Sequence, residues 1–125
     1  MKKPYLGLRT AIYYVPNLNE AKEWYAKAFE TQPYFDEPFY VGFNIGGYEL
    51  GLLPTENKSE EKSEAVVAYW GVNDAQASYD QLLAHGASSH GKPTDVGGGI
   101  ITAEVKDPYG NVIGIIHNPH FKLEG

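Results

Sequence analysis

Two glutamates, Glu49 and Glu104, are the side chains whose type and position best suit proton transfer. Each lies in an apolar stretch typical of a β-strand, residues 48–53 for the first and residues 100–106 for the second. A carboxylate can act as a general acid or base when burial raises its pKa. Carboxylates on strands more often sit at solvated strand ends or pair with a basic group. Both interpretations stay open, and no other catalytic residue is assigned.

The four histidines are poorer candidates for metal binding. His85 lies in the last turn of a predicted helix, where a cation suits the helix dipole, and His90 falls in a predicted loop. His117 and His120 flank Pro119, and proline blocks the helical turn that would bring the two rings together. Two imidazoles alone make an incomplete metal site. We therefore expect the tail to pack at the edge of the domain.

The sequence contains two similar halves. A glycine turn leads into an apolar strand with a second glycine four residues on, once in residues 47–54 and again in residues 110–117. Residues 11–15 lead into a capped helical stretch, and residues 68–72 do the same in the second half. Two units that each carry a strand, a helix and closing strands predict a duplicated α+β domain.

The predicted elements follow from caps, turns and hydrophobic spacing. Asn17 with Glu20 forms a capping box, and Asn73 or Asp74 caps the second helix, which Gly86 ends. Strands are predicted at residues 9–15, 37–45 (one or two strands), 48–53, 65–72, 100–106 and 111–117. A polar connector is predicted at residues 55–64, and a turn-rich loop at residues 90–99. Strands without long crossovers favour a mostly antiparallel sheet with helices on one face.

Composition excludes several classes of function. Ten Lys and Arg against 16 Asp and Glu give a formal charge of −6, which disfavours a nucleic-acid partner. The absence of cysteine fits a reducing compartment, and we expect a cytoplasmic protein with no signal peptide and no membrane span. Ten Tyr, five Phe and two Trp exceed what one small core needs. Aromatic residues suit half-buried strand surfaces, and they also suit the lining of a cavity or a dimer face, so both interpretations stay open.

The chain resembles the vicinal oxygen chelate superfamily, which includes glyoxalase I, extradiol dioxygenases, and fosfomycin and bleomycin resistance proteins. The resemblance covers residues 8–117 and rests on the turn from Asp107 through Asn111 to Gly114 and on the segment 15–18 followed by Trp24 and Tyr25. It implies two βαβββ modules in one chain, about residues 6–54 and 65–121, joined by the connector. The implied architecture is a curved, mostly antiparallel sheet with a central cleft, formed within one chain or across a dimer.

Enzymes of that superfamily hold a divalent metal with His, Gln or Glu on the first and last strand of each module. The repeat places Thr10 and Val67 at the first-strand positions, and Gly51 and Gly114 at the last-strand positions. Glycine and valine carry no donor, and one hydroxyl is a weak ligand alone. The chain therefore resembles the metal-free branch, in which bleomycin-binding proteins sequester a ligand. At the glycines, close backbone approach and room for a ligand are equally open interpretations.

Strand alternation adds Tyr14, Tyr69 and Glu49 to the cleft-facing set, and Thr102 and Glu104 on the strand before the Asp-Pro turn. The predicted ligand-binding residues are Thr10, Tyr14, Gly51, Val67, Tyr69 and Gly114. We predict a homodimeric, metal-independent and cofactor-free binder of a small organic ligand, neutral or cationic. The alternatives are a lyase-like or isomerase-like enzyme that uses Glu49, Glu104 or a metal held elsewhere, and a scaffold whose cleft serves only dimerisation.

Overall fold

The computed structural model describes residues 4–56, 62 and 65–121. The chain divides into two compact units, Met1–Lys58 and Ser59–Gly125. Most of the predicted connector, residues 55–64, lies outside the described residues. None of the described helices is long and apolar enough to cross a bilayer.

The first unit forms a sheet and one helix. Its elements are β1 (Thr10–Val15), α1 (Leu18–Ala28), β2 (Phe35–Glu37), β3 (Tyr40–Ile45) and β4 (Tyr48–Pro54). The strand order is β1-β4-β3-β2, with β1 parallel to β4 and the other two pairs antiparallel. The predicted hairpin turn at Gly46 and Gly47 is confirmed, because both residues have positive φ, 60° and 93°.

Helix α1 covers one face of this sheet. Asn17 accepts a hydrogen bond from the Glu20 backbone N–H at 3.0 Å, so the predicted cap is confirmed. Tyr25 of α1 is fully buried, and Leu50 and Leu52 of β4 are fully buried as well. On β1, Tyr13 and Val15 are buried, whereas Ile12 and Tyr14, which alternate with them, are exposed. The first unit therefore has one covered face and one face that α1 does not cover.

The second unit repeats this arrangement. Its elements are β5 (Tyr69–Gly71), α2 (Ala75–Ala84), β6 (Ser88–Asp95), β7 (Ile101–Lys106) and β8 (Val112–His117). The order is β5-β8-β7-β6, again with the first and last strands of the unit parallel. Asp74 caps α2 by accepting from the Ala77 N–H at 3.0 Å. The predicted α+β class with a strand, a helix and three strands in each unit is confirmed.

The Asp-Pro turn holds β7 and β8 in register. Asp107 is 4% exposed, and its Oδ1 accepts from the backbone N–H groups of Tyr109 at 2.9 Å and Asn111 at 2.8 Å. Its Oδ2 accepts from Asn111 Nδ2 at 3.0 Å, and Gly110 takes φ of 90°. A buried carboxylate that satisfies three donors explains why this turn needs Asp, Gly and Asn at these positions.

The first strand of the second unit is shorter than predicted. The sequence predicts a strand over residues 65–72, whereas β5 contains Tyr69–Gly71 and Val66 is exposed. Two backbone hydrogen bonds extend the contact with β8 beyond the strand: the Gly114 N–H donates to the Ala68 carbonyl at 3.0 Å, and the Val72 N–H donates to the Ile116 carbonyl at 2.8 Å. Apolar β-branched residues favour a strand, but propensity alone does not supply a hydrogen-bonding partner.

The predicted loop at residues 90–99 is wrong over its first half. Strand β6 runs through Gly91 and Pro93, and the register shifts between Ser89 and Gly91 and again between Gly91 and Thr94. Because β6 is an edge strand, it tolerates a proline and bulges that a central strand would not. The turn itself is confined to the segment with three positive-φ glycines, Gly97, Gly98 and Gly99.

Candidate functional site

Cross-strand pairing brings the candidate residues of the first unit onto one face. Thr10 faces Glu49, and Ile12 faces Gly51. Gly51 in turn faces Gly42 on β3. Directly paired residues point to the same side of a sheet, so this row lies on the face that α1 does not cover. The predicted alternation on β1 and β4 is confirmed by this register.

Glu49 is the polar centre of this face. Tyr34 donates a hydrogen bond from its hydroxyl to Glu49 Oε1, and Tyr40 donates one to Oε2. Glu49 itself is half-buried. The carboxylate therefore uses both oxygens to hold two phenols on the sheet surface.

Both phenols are harder to ionise than a free tyrosine side chain, because the pKa of each is raised. The hydrogen bond to Glu49 is the main cause that raises the pKa of Tyr34. Burial is the main cause that raises the pKa of Tyr40, and the hydrogen bond to Glu49 adds to it. A carboxylate next to a phenol opposes formation of a second negative charge. Tyr34 and Tyr40 are thus hydrogen-bond donors over the whole physiological pH range.

Further rings extend the site. Phe35, the cross-strand partner of Gly42, lies with its ring centre 6.0 Å from that of Tyr40. The Phe35 and Phe39 rings are 6.1 Å apart in an edge-on arrangement. Phe39 is 63% exposed and Tyr34 is 64% exposed. We call the four rings and the carboxylate the Glu49 cluster; its members are Tyr34, Phe35, Phe39, Tyr40 and Glu49.

Gly51 provides the surface on which Tyr40 lies. A Cβ atom placed on Gly51 would lie 2.8 Å from Cζ and 2.9 Å from Cε1 of the Tyr40 ring, and closer still to its hydroxyl oxygen. Side chains do not tolerate such distances. The space beside Gly51 is filled by a tyrosine side chain of the same unit, which differs from the close backbone approach that the sequence suggested.

The second unit places Tyr69 and Glu104 together across β8. Tyr69 and Glu104 are the partners of Gly114 on its two sides, and Tyr69 donates a hydrogen bond from its hydroxyl to Glu104 Oε2. A Cβ on Gly114 would lie 2.6 Å from Cδ1 of Tyr69 and 2.8 Å from the Ala68 carbonyl oxygen. The hydrogen bond to Glu104 is also the main cause that raises the pKa of Tyr69.

A bulge on β6 brings a histidine to the same carboxylate. His90 is the extra residue between the paired positions Ser89 and Gly91. Its Nε2 lies 3.9 Å from Glu104 Oε1, and about a quarter of each side chain is exposed. Glu104 thus faces a phenol on one side and an imidazole on the other.

Two other predicted site residues lie on or just before the first strand of each unit. Tyr14 is 51% exposed on β1 and faces Leu53 across the sheet. Val67 is half-buried and precedes β5. Two shallow grooves of about 490 and 360 Å³ lie beside the starts of α1 and α2, and none of the predicted site residues lines either one.

The residues present do not fit a divalent metal. Across the first unit's sheet, Glu49 faces Thr10, so these positions of the first and last strands offer one carboxylate and one hydroxyl. Both oxygens of that carboxylate accept phenol hydrogen bonds. Within residues 4–56, 62 and 65–121, no group of three or more His, Cys, Asp or Glu side chains could share an ion. Catalytic sites for such ions use about three protein ligands.

Sequence reasoning missed three partners of the glutamates: Tyr34, Tyr40 and His90. Alternation back from the Gly46–Gly47 turn would have found Tyr40, because residues 44, 42 and 40 fall on the Glu49 face. Tyr34 precedes β2 and is fixed by a backbone hydrogen bond from its N–H to the Gly42 carbonyl, which no local pattern encodes. The position of His90 near Glu104 depends on a β-bulge, which no sequence pattern here predicts.

Comparison with known proteins agrees with this architecture. The family described as the Glyoxalase/Bleomycin resistance protein/Dioxygenase superfamily matches residues 7–115. The chain belongs to this superfamily. The resemblance stated from the sequence is thereby confirmed, over almost the same residues.

Solved structures of the superfamily share the fold. A glyoxalase-related enzyme from Fulvimarina pelagi superposes with a TM-score of 0.79 at 15% identity, covering 96% of this chain and 94% of that one. A glyoxalase/bleomycin resistance protein/dioxygenase family enzyme from Burkholderia phytofirmans PsJN gives 0.73 at 17% identity, covering 86% and 95%. At these identities the likeness shows the fold. Comparison with curated proteins gives no match.

Proposed function

We propose that this superfamily member binds a small organic ligand without a metal ion. The observation that carries the proposal is the Glu49 cluster, in which both carboxylate oxygens are taken up by the hydroxyls of Tyr34 and Tyr40 on a sheet face rich in exposed rings. Such a surface offers aromatic contact area and fixed hydrogen-bonding groups, which are the usual components of ligand sites.

The chemistry of Glu49 supports binding through the protein's own groups. Glu49 and Thr10 would give a metal ion one carboxylate and one hydroxyl, which is fewer than the about three protein ligands of a catalytic metal site, and Gly51 adds none. A molecule that stacks on the rings needs no such ligand set. Sequestering a drug or metabolite is the simplest use of such a site.

A thermal-shift screen in chelator-treated buffer tests the proposal. Planar and cationic compounds are the first panel, and a ligand at 100 times its dissociation constant adds about 2.7 kcal/mol to the free energy of unfolding. A hit is then titrated against Tyr34→Ala, which removes a ring of the Glu49 cluster, and against Tyr14→Ala and Tyr69→Ala, which change two residues predicted from the sequence. We expect Tyr34→Ala to weaken binding about tenfold; unchanged affinity in this variant would contradict the placement of the ligand at the Glu49 cluster.

An enzymatic function is the second candidate, favoured by the placement of His90 near Glu104. A carboxylate that orients an imidazole can support general base catalysis, and Tyr69 could supply a proton-donating hydroxyl beside it. In that case the chain would be an isomerase-like or lyase-like enzyme. His90→Gln should abolish turnover of a bound carbonyl compound while its dissociation constant stays the same; a pure binding protein shows no turnover to lose.

Assembly and location complete the proposal. We place the two modules at about residues 6–54 and 65–121 and propose a cytoplasmic homodimer, since exposed rings such as Tyr34 and Phe39 suit a buried interface as well as a ligand. Light scattering after size exclusion measures the mass directly. A monomer that still binds its ligand would remove the dimer and the scaffold function from the account.

A further inference from the structure

We propose that the Glu49 cluster recognises an organic ammonium group, a small cation that carries an apolar body. The inference rests on the proposed binding function and names the ligand class. It follows from the rings, from the carboxylate, and from the ion pairs of the described residues, none of which places a cation on that carboxylate.

The rings supply the first element of such a site. Tyr34 and Tyr40 are held at the Glu49 oxygens by their hydroxyls, and Phe35 lies beside Tyr40 at 6.0 Å. A cation within about 6 Å of an aromatic ring centre is attracted to the negative face of the ring. Several rings grouped around one carboxylate form the usual cage for an alkylammonium ion.

The charge of Glu49 supplies the second element. Its hydrogen-bond partners are neutral phenols, which donate to the carboxylate but leave its negative charge uncompensated. Neither the Lys22–Asp36 ion pair nor the His90–Glu104 ion pair involves this carboxylate. A carboxylate oxygen has two lone pairs, so each oxygen can accept from a ligand N–H in addition to its phenol.

The surroundings supply a surface for the apolar body. Phe39 is 63% exposed next to Phe35, and Ile12, 45% exposed, faces Gly51 on the same side of the sheet. An exposed apolar patch beside a charged group is typical of a binding surface for an amphipathic molecule. The formal charge of −6 adds a long-range attraction for cations.

The second unit lacks this combination. Glu104 faces one phenol, Tyr69, and an imidazole, His90, that can itself carry a positive charge. A protonated His90 would compete with an ammonium ligand for the carboxylate. The structure therefore assigns the ammonium site to the first unit.

A series of three ligands with one aromatic ring and different charge tests the inference. Benzylammonium, benzyl alcohol and benzoate are titrated into the full chain, and dissociation constants are taken from NMR chemical-shift changes. We expect benzylammonium to bind at least tenfold more tightly than benzyl alcohol, and benzoate to bind most weakly. Equal affinity for the first two would overturn the ammonium inference and leave metal-independent binding in place.

Variants locate the preference. Glu49→Gln keeps the shape of the side chain and removes its charge, so it should abolish the preference for benzylammonium. Glu23→Gln makes the same charge change on the exposed side of α1 and should leave it intact. Loss of preference in Glu104→Gln but not in Glu49→Gln would overturn the assignment to the first unit.

A second substitution covers the case in which Glu49→Gln fails to fold. Tyr34 is 64% exposed, so Tyr34→Ala and Tyr34→Phe should both keep the fold. The ring contributes the attraction to the cation, so Tyr34→Phe should retain most of the preference and Tyr34→Ala should lose several-fold. If Tyr34→Ala leaves the preference unchanged, the cage is not the site. Failure of every compound in the series and in the screening panel would overturn the proposed function as well.

Discussion

Glu49 and Glu104 hold tyrosine hydroxyls in the two units, yet they are not repeats of each other. Glu49 lies on β4, the last strand of its unit, whereas Glu104 lies on β7, the third. Each carboxylate is reached over a glycine, because a side chain at Gly51 or Gly114 would block the ring. Each unit therefore pairs a glutamate carboxylate with a tyrosine hydroxyl, but the glutamate lies on a different strand in each unit.

The ionisation of these tyrosines gives a direct test of the pairing. Glu49→Gln should lower the pKa of Tyr34 and Tyr40 towards the ordinary value of 10.0, because the neighbouring charge is gone. The pKa of Tyr40 should stay above the ordinary value, because burial is the main cause of its shift. Phenolate absorbance during an alkaline titration measures the change. Glu104→Gln is the matched control and should shift Tyr69 alone.

The same shifts fix the direction of the pH dependence. The phenol of Tyr40 keeps its proton to a higher pH in the folded chain than in the unfolded chain, because folding raises its pKa. Its contribution to the free energy of unfolding is therefore complete below about pH 10, and it is lost as the pH rises through the folded-state pKa. The free energy of unfolding should fall above pH 10 less steeply in Glu49→Gln than in the unsubstituted chain. A parallel decline in both would show that Glu49 does not contribute.

The sequence predicted the positions of the carboxylates but not their partners. Period-two alternation is local, and it placed Glu49 and Glu104 on the faces that the helices do not cover. The hydroxyl of Tyr34 reaches Glu49 across 15 positions in the chain, and His90 reaches Glu104 through a bulge. Both depend on strand register, which short sequence patterns do not determine.

At the scale of secondary structure, caps and turns were predictable because their bonds are local. Asn17 and Asp74 bind N–H groups three residues on, and Asp107 binds within its own turn. The strands β5 and β6 were misjudged because their limits depend on pairing with β8 and β7. Strand propensity predicted β5 longer than it is, and the glycine and proline in β6 led to the prediction of a loop there.

Glycine substitutions separate the two ring contacts. Gly51→Ala should displace the Tyr40 ring and destabilise the chain by about 1–3 kcal/mol. In a Tyr40→Ala background the same change should cost much less, because the three atoms nearest to the new Cβ all belong to the Tyr40 side chain. Urea unfolding of the four proteins gives the coupling energy.

Gly114→Ala provides the contrast. Its Cβ would also lie 2.8 Å from the Ala68 carbonyl oxygen, a backbone atom that accepts the Gly114 N–H. Removing the ring with Tyr69→Ala should therefore relieve only part of the cost. Equal rescue at both glycines would contradict the view that the Ala68 backbone, just before β5, approaches Gly114 closely.

The whole chain has the fold of the Glyoxalase/Bleomycin resistance protein/Dioxygenase superfamily. Among the described residues, no group of three or more His, Cys, Asp or Glu side chains could share an ion. Metal independence stays a prediction, which rests on the glycines and the valine at the ligand positions that the resemblance implies. Glu49 and Thr10 would offer an ion one carboxylate and one hydroxyl, fewer than the about three protein ligands of a catalytic site. A shared scaffold therefore does not imply a shared reaction.

Ligand binding without a metal ion can be checked by removing metal ions from the protein. The affinity of benzylammonium, or of a stronger hit from the screen, is measured before and after exhaustive dialysis against a chelator, with metal content determined on the same samples. We predict the same dissociation constant in both samples and far less than one metal ion per chain. Loss of binding after dialysis, with recovery on adding one equivalent of Mn²⁺, Ni²⁺, Zn²⁺ or Fe²⁺, would contradict the account.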